Sequence, residues 1–173
     1  MTANRVFGIT GWKNSGKTTL TEKLVTELVA RGWTVSTVKH AHHDFDIDKP
    51  GADSFRHRQA GATEVAIISD RRWALMHELR NENEPTLDAI LARLAPSDIV
   101  LVEGYKREAH KKIEARRLEA KDRTPLSASD PNIVAVAADF EVEGEHLPVF
   151  DLNDTKSIAD FVERSTGLVA QSK

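Results

Sequence analysis

The sequence predicts an α/β fold in which a mostly parallel β-sheet is flanked by helices. Short apolar runs alternate along the chain with segments whose apolar residues recur at helical spacing, an order of elements typical of parallel sheets. The run Ile99–Val102 has no polar residue, as expected of a strand covered on both faces. With 173 residues, 40% of them apolar, the chain can build one core, so we expect a single domain over residues 1–173.

In the N-terminal half, the first helix has the clearest pattern. Apolar residues three or four positions apart, from Leu20 to Leu28, share one face, and Gly32 follows as a helix C-terminal glycine would. Two later strands are expected on either side of a turn at Asp70 and Arg71. The predicted elements are, in order, strand Val6–Thr10, helix Lys17–Arg31, strand Thr34–Val38, and strands Val65–Ser69 and Arg72–Leu79.

In the C-terminal half, strands again alternate with helical patterns. The predicted elements are a helix through Leu87, Ile90, Leu91 and Leu94, strand Ile99–Val102, strands Ile133–Ala137 and Leu147–Leu152, and a last helix carrying Ile158, Phe161 and Val162. The segment Lys106–Arg123 is dense in charge, and Ile113 and Leu118 are its only large aliphatic residues. We therefore expect a solvated arm or mobile segment there.

Composition excludes several classes of protein. With 24 Lys and Arg against 27 Asp and Glu, the formal net charge is -3, so we expect neither nucleic acid nor a membrane as partner. The absence of cysteine excludes disulfides, Cys-ligated zinc and thiol chemistry. The N-terminus has no basic-then-apolar signal pattern, and no run approaches 18 apolar residues. We expect a soluble, cytoplasmic protein.

A phosphate-binding loop follows the first predicted strand. The pattern G-x-x-x-x-G-K-[ST] is matched by Gly11, Trp12, Lys13, Asn14, Ser15, Gly16, Lys17 and Thr18. The two glycines allow successive N–H groups to turn toward an anion, and the following helix adds the partial positive charge of its N-terminus. The alternative is a glycine-rich turn that merely joins strand to helix. The match predicts a P-loop NTPase-like fold that binds a purine nucleoside triphosphate with Mg²⁺.

The residues of this loop have separate expected roles. Lys17 is expected to reach the β- and γ-phosphates, the Thr18 hydroxyl to ligate Mg²⁺, and Thr19 to complete the nucleotide-binding set. Some dimeric P-loop ATPases carry an extra lysine immediately after the first glycine, but Trp12 occupies that position here. Lys13 is therefore given no role toward a second subunit; it is either a neighbour of the phosphates or simply solvated.

Glu103 is the second candidate metal ligand. A phosphate loop needs an acidic residue at the end of a nearby parallel strand, and the apolar run Ile99–Val102 leads directly to Glu103 and then Gly104. The alternative is a surface glutamate that closes the strand. Asp98 lies at the opposite end of this strand and is not expected in the site.

A polar stretch from Lys39 to Arg58 follows the second predicted strand, at the edge of the sheet where α/β proteins bind ligands. Three interpretations remain open. It could be a switch-like loop that orders around Mg²⁺ and phosphate, with Asp46 or Asp53 as acids and Arg56 as a phosphate contact. It could be a transition-metal site, since it holds three histidines between residues 40 and 43, or a purely structural loop.

Several of these segments together resemble the molybdopterin-guanine dinucleotide biosynthesis protein B family. Beyond the phosphate loop, the resemblance lies in segments spread over nearly the whole chain: 38–40, 42–44, 46–51, 53–54, 60–62, 72–76, 101–106, 134–137 and 151–154. The loop is generic, whereas the His-His-Asp and Pro-Gly stretch and the segment Val102–Lys106 are far more specific. The resemblance implies a homodimeric GTP-binding adapter with weak GTP hydrolysis. Its implied partners are the guanylyltransferase that joins GMP to molybdopterin and, as a further candidate, molybdopterin.

Guanine recognition is where the sequence departs from ordinary GTPases, because it contains no Asn-Lys-x-Asp. Asn153 and Asp154 are the nearest acid-amide pair, although Asp154 can equally cap the following helix. The preference for guanine therefore rests on the resemblance.

A small P-loop kinase is the alternative function. In that case, Arg116, Arg117 and Arg123 would form a lid that supplies charge to a transferred phosphoryl group. No aspartate follows the second strand in an arrangement that obviously activates an acceptor hydroxyl, which favours the adapter.

Overall fold

A computed structural model describes residues 5–41 and 45–169. In chain order its elements are β1 (Arg5–Thr10), α1 (Lys17–Ala30), β2 (Val35–Lys39), α2 (Asp53–Gln59), β3 (Glu64–Ile68), β4 (Trp73–His77), α3 (Leu87–Leu91), β5 (Ile99–Glu103), β6 (Lys112–Arg116), β7 (Ile133–Ala138), β8 (Val149–Asp151) and α4 (Thr155–Thr166). They divide into two compact units, residues 41–90 and the remainder of the chain. The sequence does not predict this division.

The larger unit is built on a six-stranded sheet. Its strand order is β2-β5-β1-β6-β7-β8, and every neighbouring pair is parallel. The core includes Phe7 and Ile9 of β1, Leu24 of α1 and Ile158 of α4, all fully buried. The predicted α/β fold with a mostly parallel sheet flanked by helices is confirmed. All carboxyl ends of these strands meet at one edge, where ligands of such sheets bind.

The expectation of a solvated arm at Lys106–Arg123 is wrong over its central part. Residues Lys112–Arg116 form β6, which lies between β1 and β7 with all five residues buried. Ile113 and Ala115 join the apolar core. The charged residues of β6 are buried in ion pairs: Lys112 Nζ lies 2.7 Å from Asp130, and an Arg116 nitrogen lies 2.7 Å from Glu114 and 2.9 Å from Glu145. Because each buried charge lies next to an opposite charge, this charge-rich segment can form a strand in the interior of the protein.

The smaller unit contains a two-stranded antiparallel sheet, helix α2 and all but the last residue of α3. Val65 of β3 pairs with Met76 of β4, and both side chains are buried. On the other face of the sheet, Ile68, Trp73 and Leu75 are exposed. The helices differ from expectation, since α2 lies within the polar stretch and α3 ends at Leu91 rather than continuing to Leu94. In the described ranges, no helix has the length and apolar character needed to cross a membrane.

Candidate functional site

The phosphate loop connects the end of β1 to the start of α1, as its sequence pattern requires. Gly11 and Gly16 have φ of 144° and 90°, and Asn14 also has a positive φ of 62°. A Cβ at Gly11 would collide with the Ser15 hydroxyl and would come within 2.5 Å of the Ala115 carbonyl oxygen of β6. Glycine is therefore required at this position both by backbone conformation and by space. Among residues 5–41 and 45–169, the buried Ser15 Oγ has no hydrogen-bond partner.

Lys17 folds back over this loop. Its Nζ donates a hydrogen bond to the Trp12 carbonyl at 2.6 Å. Burial lowers the pKa of the Lys17 ammonium below its ordinary value, and the nearby Lys106 cation lowers it further, whereas Glu103 opposes these effects. An ammonium that is partly desolvated and close to other cations gains more from an anionic ligand than a solvated one does.

Thr18 and Glu103 meet at the carboxyl edge of the sheet. The Thr18 hydroxyl donates to Glu103 Oε1 at 2.7 Å, and Lys39 Nζ lies 3.4 Å from the same oxygen. Strand register explains the arrangement, since Glu103 of β5 is paired with Ile9 of β1 on one side and Lys39 of β2 on the other. A hydroxyl and a carboxylate oxygen suit Mg²⁺, and the Lys39 ammonium shows that this position already attracts a cation. Asp98 binds Thr34 at the opposite end of β5.

Further cations surround the loop, although the net charge of the chain is negative. Lys106 Nζ lies 4.0 Å from the centre of the Trp12 ring, whose Nε1 donates to the Thr124 carbonyl at 2.7 Å. Arg117 lies against Gly16, because a Cβ on that glycine would be 3.1 Å from Arg117 Cδ. Sequence reasoning assigned Lys106 no role, although it comes three residues after Glu103. Together with the exposed Lys13, these cations form a positive surface for an anion.

The proposed lid of the kinase alternative is not formed as expected. Arg116 is buried in β6 and paired with Glu114 and Glu145, so it cannot move over a bound phosphate. The exposed Arg123 lies outside this strand.

The acid-amide pair after β8 is engaged elsewhere. Asp154 caps α4, with its carboxylate accepting from the Ser157 N–H at 3.1 Å. Asn153 Oδ1 accepts from Lys23 Nζ at 3.0 Å. Each side chain therefore has a structural contact that involves no base.

The acids of the polar stretch interact within the smaller unit. Arg58 contacts Asp46 at 2.8 Å, Asp48 at 3.4 Å and Glu78 at 2.7 Å, and Asp53 lies 3.9 Å from Arg56. Residues 42–44, which include two of the three histidines considered as metal ligands, lie outside the described residues. In the part of the chain that is described, no three His, Asp or Glu side chains cluster as a metal site. The switch-like role of Asp46, Asp53 and Arg56 stays a prediction.

Comparison with known proteins places this geometry in a family. Residues 6–139 match the family model described as molybdopterin guanine dinucleotide synthesis protein B, abbreviated MobB. The chain is 40% identical to the molybdopterin-guanine dinucleotide biosynthesis adapter protein of Escherichia coli (strain K12), over 91% of this chain and 90% of that protein. It is 41% identical to the protein of the same name from Haemophilus influenzae, over 91% and 87%.

Solved structures give the same answer. The crystal structure of a MobB protein homologue from Bacillus stearothermophilus superposes with a TM-score of 0.72 at 34% identity, covering 95% of this chain and 99% of the other. The Bacillus subtilis MobB structure, at 24% identity and a TM-score of 0.74, shares the fold. By the family model and by these relatives, the chain belongs to the molybdopterin guanine dinucleotide synthesis protein B family.

Proposed function

We propose that this chain is a GTP-binding adapter in the biosynthesis of molybdopterin guanine dinucleotide, where it assists the guanylyltransferase. The adapter role is supported by two relatives of that name that are 40% and 41% identical over 91% of the chain. Nucleotide binding is supported above all by one observation, the phosphate loop at the end of β1 with the Thr18–Glu103 hydrogen bond beside it. The kinase alternative is not favoured, because the lid that it requires would include the buried Arg116.

In this proposal the loop from Gly11 to Thr18, with Thr19, holds the triphosphate. Backbone N–H groups of the loop and the start of α1 bind phosphate oxygens, and Lys17 exchanges its hydrogen bond to Trp12 for the β- and γ-phosphates. Thr18 and Glu103 would hold Mg²⁺, which neutralises charge on the phosphates. Any GTP hydrolysis is at most weak. A cytoplasmic location and a contact with molybdopterin stay predictions.

The first test is nucleotide preference. We expect the dissociation constant for GTP to be at least about tenfold lower than that for ATP, a difference of about 1.4 kcal/mol. Competition binding with both nucleotides in the presence of Mg²⁺ measures it. Equal affinities would remove the guanine assignment and leave triphosphate binding intact, whereas failure to bind either nucleotide would remove the site itself.

The second test concerns assembly. We expect the chain to sediment with the mass of a homodimer at micromolar concentration, and to form a larger complex when the guanylyltransferase is added. The exposed apolar face of the β3–β4 sheet supports a dimer, with Ile68 77% and Trp73 71% exposed. A monomeric mass would contradict the homodimer, and the absence of a complex would contradict the adapter role.

A further inference from the structure

Three strand ends meet beside Gly16 of the phosphate loop. A Cβ at Gly16 would lie 3.1 Å from Arg117 Cδ, after β6, and 3.2 Å from Leu152 Cδ2, after β8. Between these two strands lies β7, which is followed directly by Asp139. The Arg117 Nε donates to Asp139 Oδ2 at 3.3 Å. The Asp139 carboxylate is therefore one side chain away from the phosphate loop, at the ligand-binding edge of the sheet.

The Asp139 carboxylate is fixed in place and retains capacity to bind. Its Oδ1 accepts the Leu118 N–H at 2.8 Å, and its Oδ2 accepts from Arg117, so each oxygen is oriented by one donor. A carboxylate oxygen has two acceptor positions. The side chain is 23% exposed, so a ligand can reach it. Each oxygen can therefore accept one more hydrogen bond, so the carboxylate can bind two neighbouring donors of a ligand.

Other polar side chains at this edge have different partners. Asp154 caps α4, Asn153 accepts from Lys23, and Asp151 Oδ1 accepts from the Asn153 N–H at 2.8 Å. Asp139 differs because its partner Arg117 is also the residue that contacts the phosphate loop at Gly16. Among these residues, only Asp139 is hydrogen-bonded to a side chain that lies against Gly16 of the phosphate loop, that of Arg117.

Guanine presents two neighbouring donors, N1–H and the N2 amino group, along its base-pairing edge. A carboxylate can accept both, and such charge-assisted hydrogen bonds are roughly twice as strong as neutral ones. Adenine presents an acceptor at N1, which a carboxylate repels.

We propose that Asp139 reads guanine, positioned by Arg117 and the Leu118 N–H. The inference rests on the proposed function, since it requires a purine nucleoside triphosphate on the phosphate loop. It supplies a base-recognition residue to a chain that lacks Asn-Lys-x-Asp.

The test is Asp139→Asn, assayed by titration with GTP, ATP and XTP. Asparagine keeps an oxygen for the Leu118 N–H but replaces one acceptor with an amide donor, which suits the C2 carbonyl of xanthine. We expect GTP to bind about 100-fold more weakly, ATP to change by less than about threefold, and XTP to bind more tightly than to the wild type. The gain of XTP binding separates base recognition from a structural role, because loosened packing would not create it.

Glu119→Gln is the matched control. Glu119 lies 3.4 Å from Arg117 and is 80% exposed, so this change removes the other ion pair of Arg117 without altering Asp139. We expect unchanged affinity for GTP. A wild-type preference for GTP that survives in Asp139→Asn would overturn the assignment of Asp139 and leave the proposed function standing. A wild-type chain that binds no triphosphate would instead overturn the proposed function.

Discussion

Replacing Lys17 with alanine is expected to weaken GTP binding by about 30- to 1000-fold. The ammonium should make charge-assisted hydrogen bonds to the β- and γ-phosphates, each worth about 1.5–3 kcal/mol. In the variant, water would replace part of these hydrogen bonds, so the expected loss of binding free energy is about 2–4 kcal/mol. The crowding of cations around Lys17 makes the free protein tolerant of its removal. Calorimetric titration measures the affinity, and thermal melts of the nucleotide-free variants should show little change.

Two further variants make this result specific. Thr18→Ala should weaken binding in the presence of Mg²⁺ more than binding without it, because the hydroxyl is expected to act through the metal. Lys156→Ala removes the same charge from an exposed position on α4, and its GTP affinity should match that of the wild type. If Lys17→Ala binds GTP as the wild type does, the loop is only a turn between β1 and α1.

Glu114→Ala is expected to lower the free energy of unfolding by about 3–5 kcal/mol. The buried Glu114 carboxylate pairs with Arg116 at 2.7 Å and also accepts the N–H groups of Leu126 and Ser127 at 2.9 and 3.1 Å. Its removal leaves two backbone donors without partners and takes one of two acidic partners from a buried guanidinium. Urea unfolding measures the difference.

The control for Glu114 is Glu143→Ala. Glu143 is exposed, so its loss should change the unfolding free energy by no more than about 0.5 kcal/mol. A Glu114→Ala variant within about 1 kcal/mol of the wild type would mean that the buried pairs of β6 contribute little to stability.

Local patterns predicted the parts of this protein that depend on neighbours in sequence. The phosphate loop has fixed spacing, and β1, α1 and β5 have apolar runs or helical periodicity, so their boundaries were predicted within one or two residues. Glu103 was identifiable because it ends an apolar run, and its carboxylate does lie beside Thr18. In each case the signal needed no knowledge of strand order.

Long-range pairing is what the sequence could not reveal. β6 looks like a solvated segment until Lys112 and Arg116 are known to meet Asp130 and Glu145, which lie 18 and 29 positions further along the chain. Asp139 and Arg117 come together beside the phosphate loop only because β6 and β7 are adjacent in the sheet. The candidate base-reading residue was therefore missed, and Asn153 and Asp154 were considered instead.

The position of β1 in the sheet also has a consequence for how the chain folds during synthesis. β1 leaves the ribosome first, but its partners are β5 and β6, with Arg5 opposite Ile99 and Gly8 opposite Lys112. The β3–β4 sheet pairs residues close in sequence and has no such delay. Because the Ala115 carbonyl packs against Gly11, the phosphate loop takes its final form only after β6 has been translated. Bound nucleotide can therefore act only on a chain that already includes β6, and it cannot guide the earliest folding.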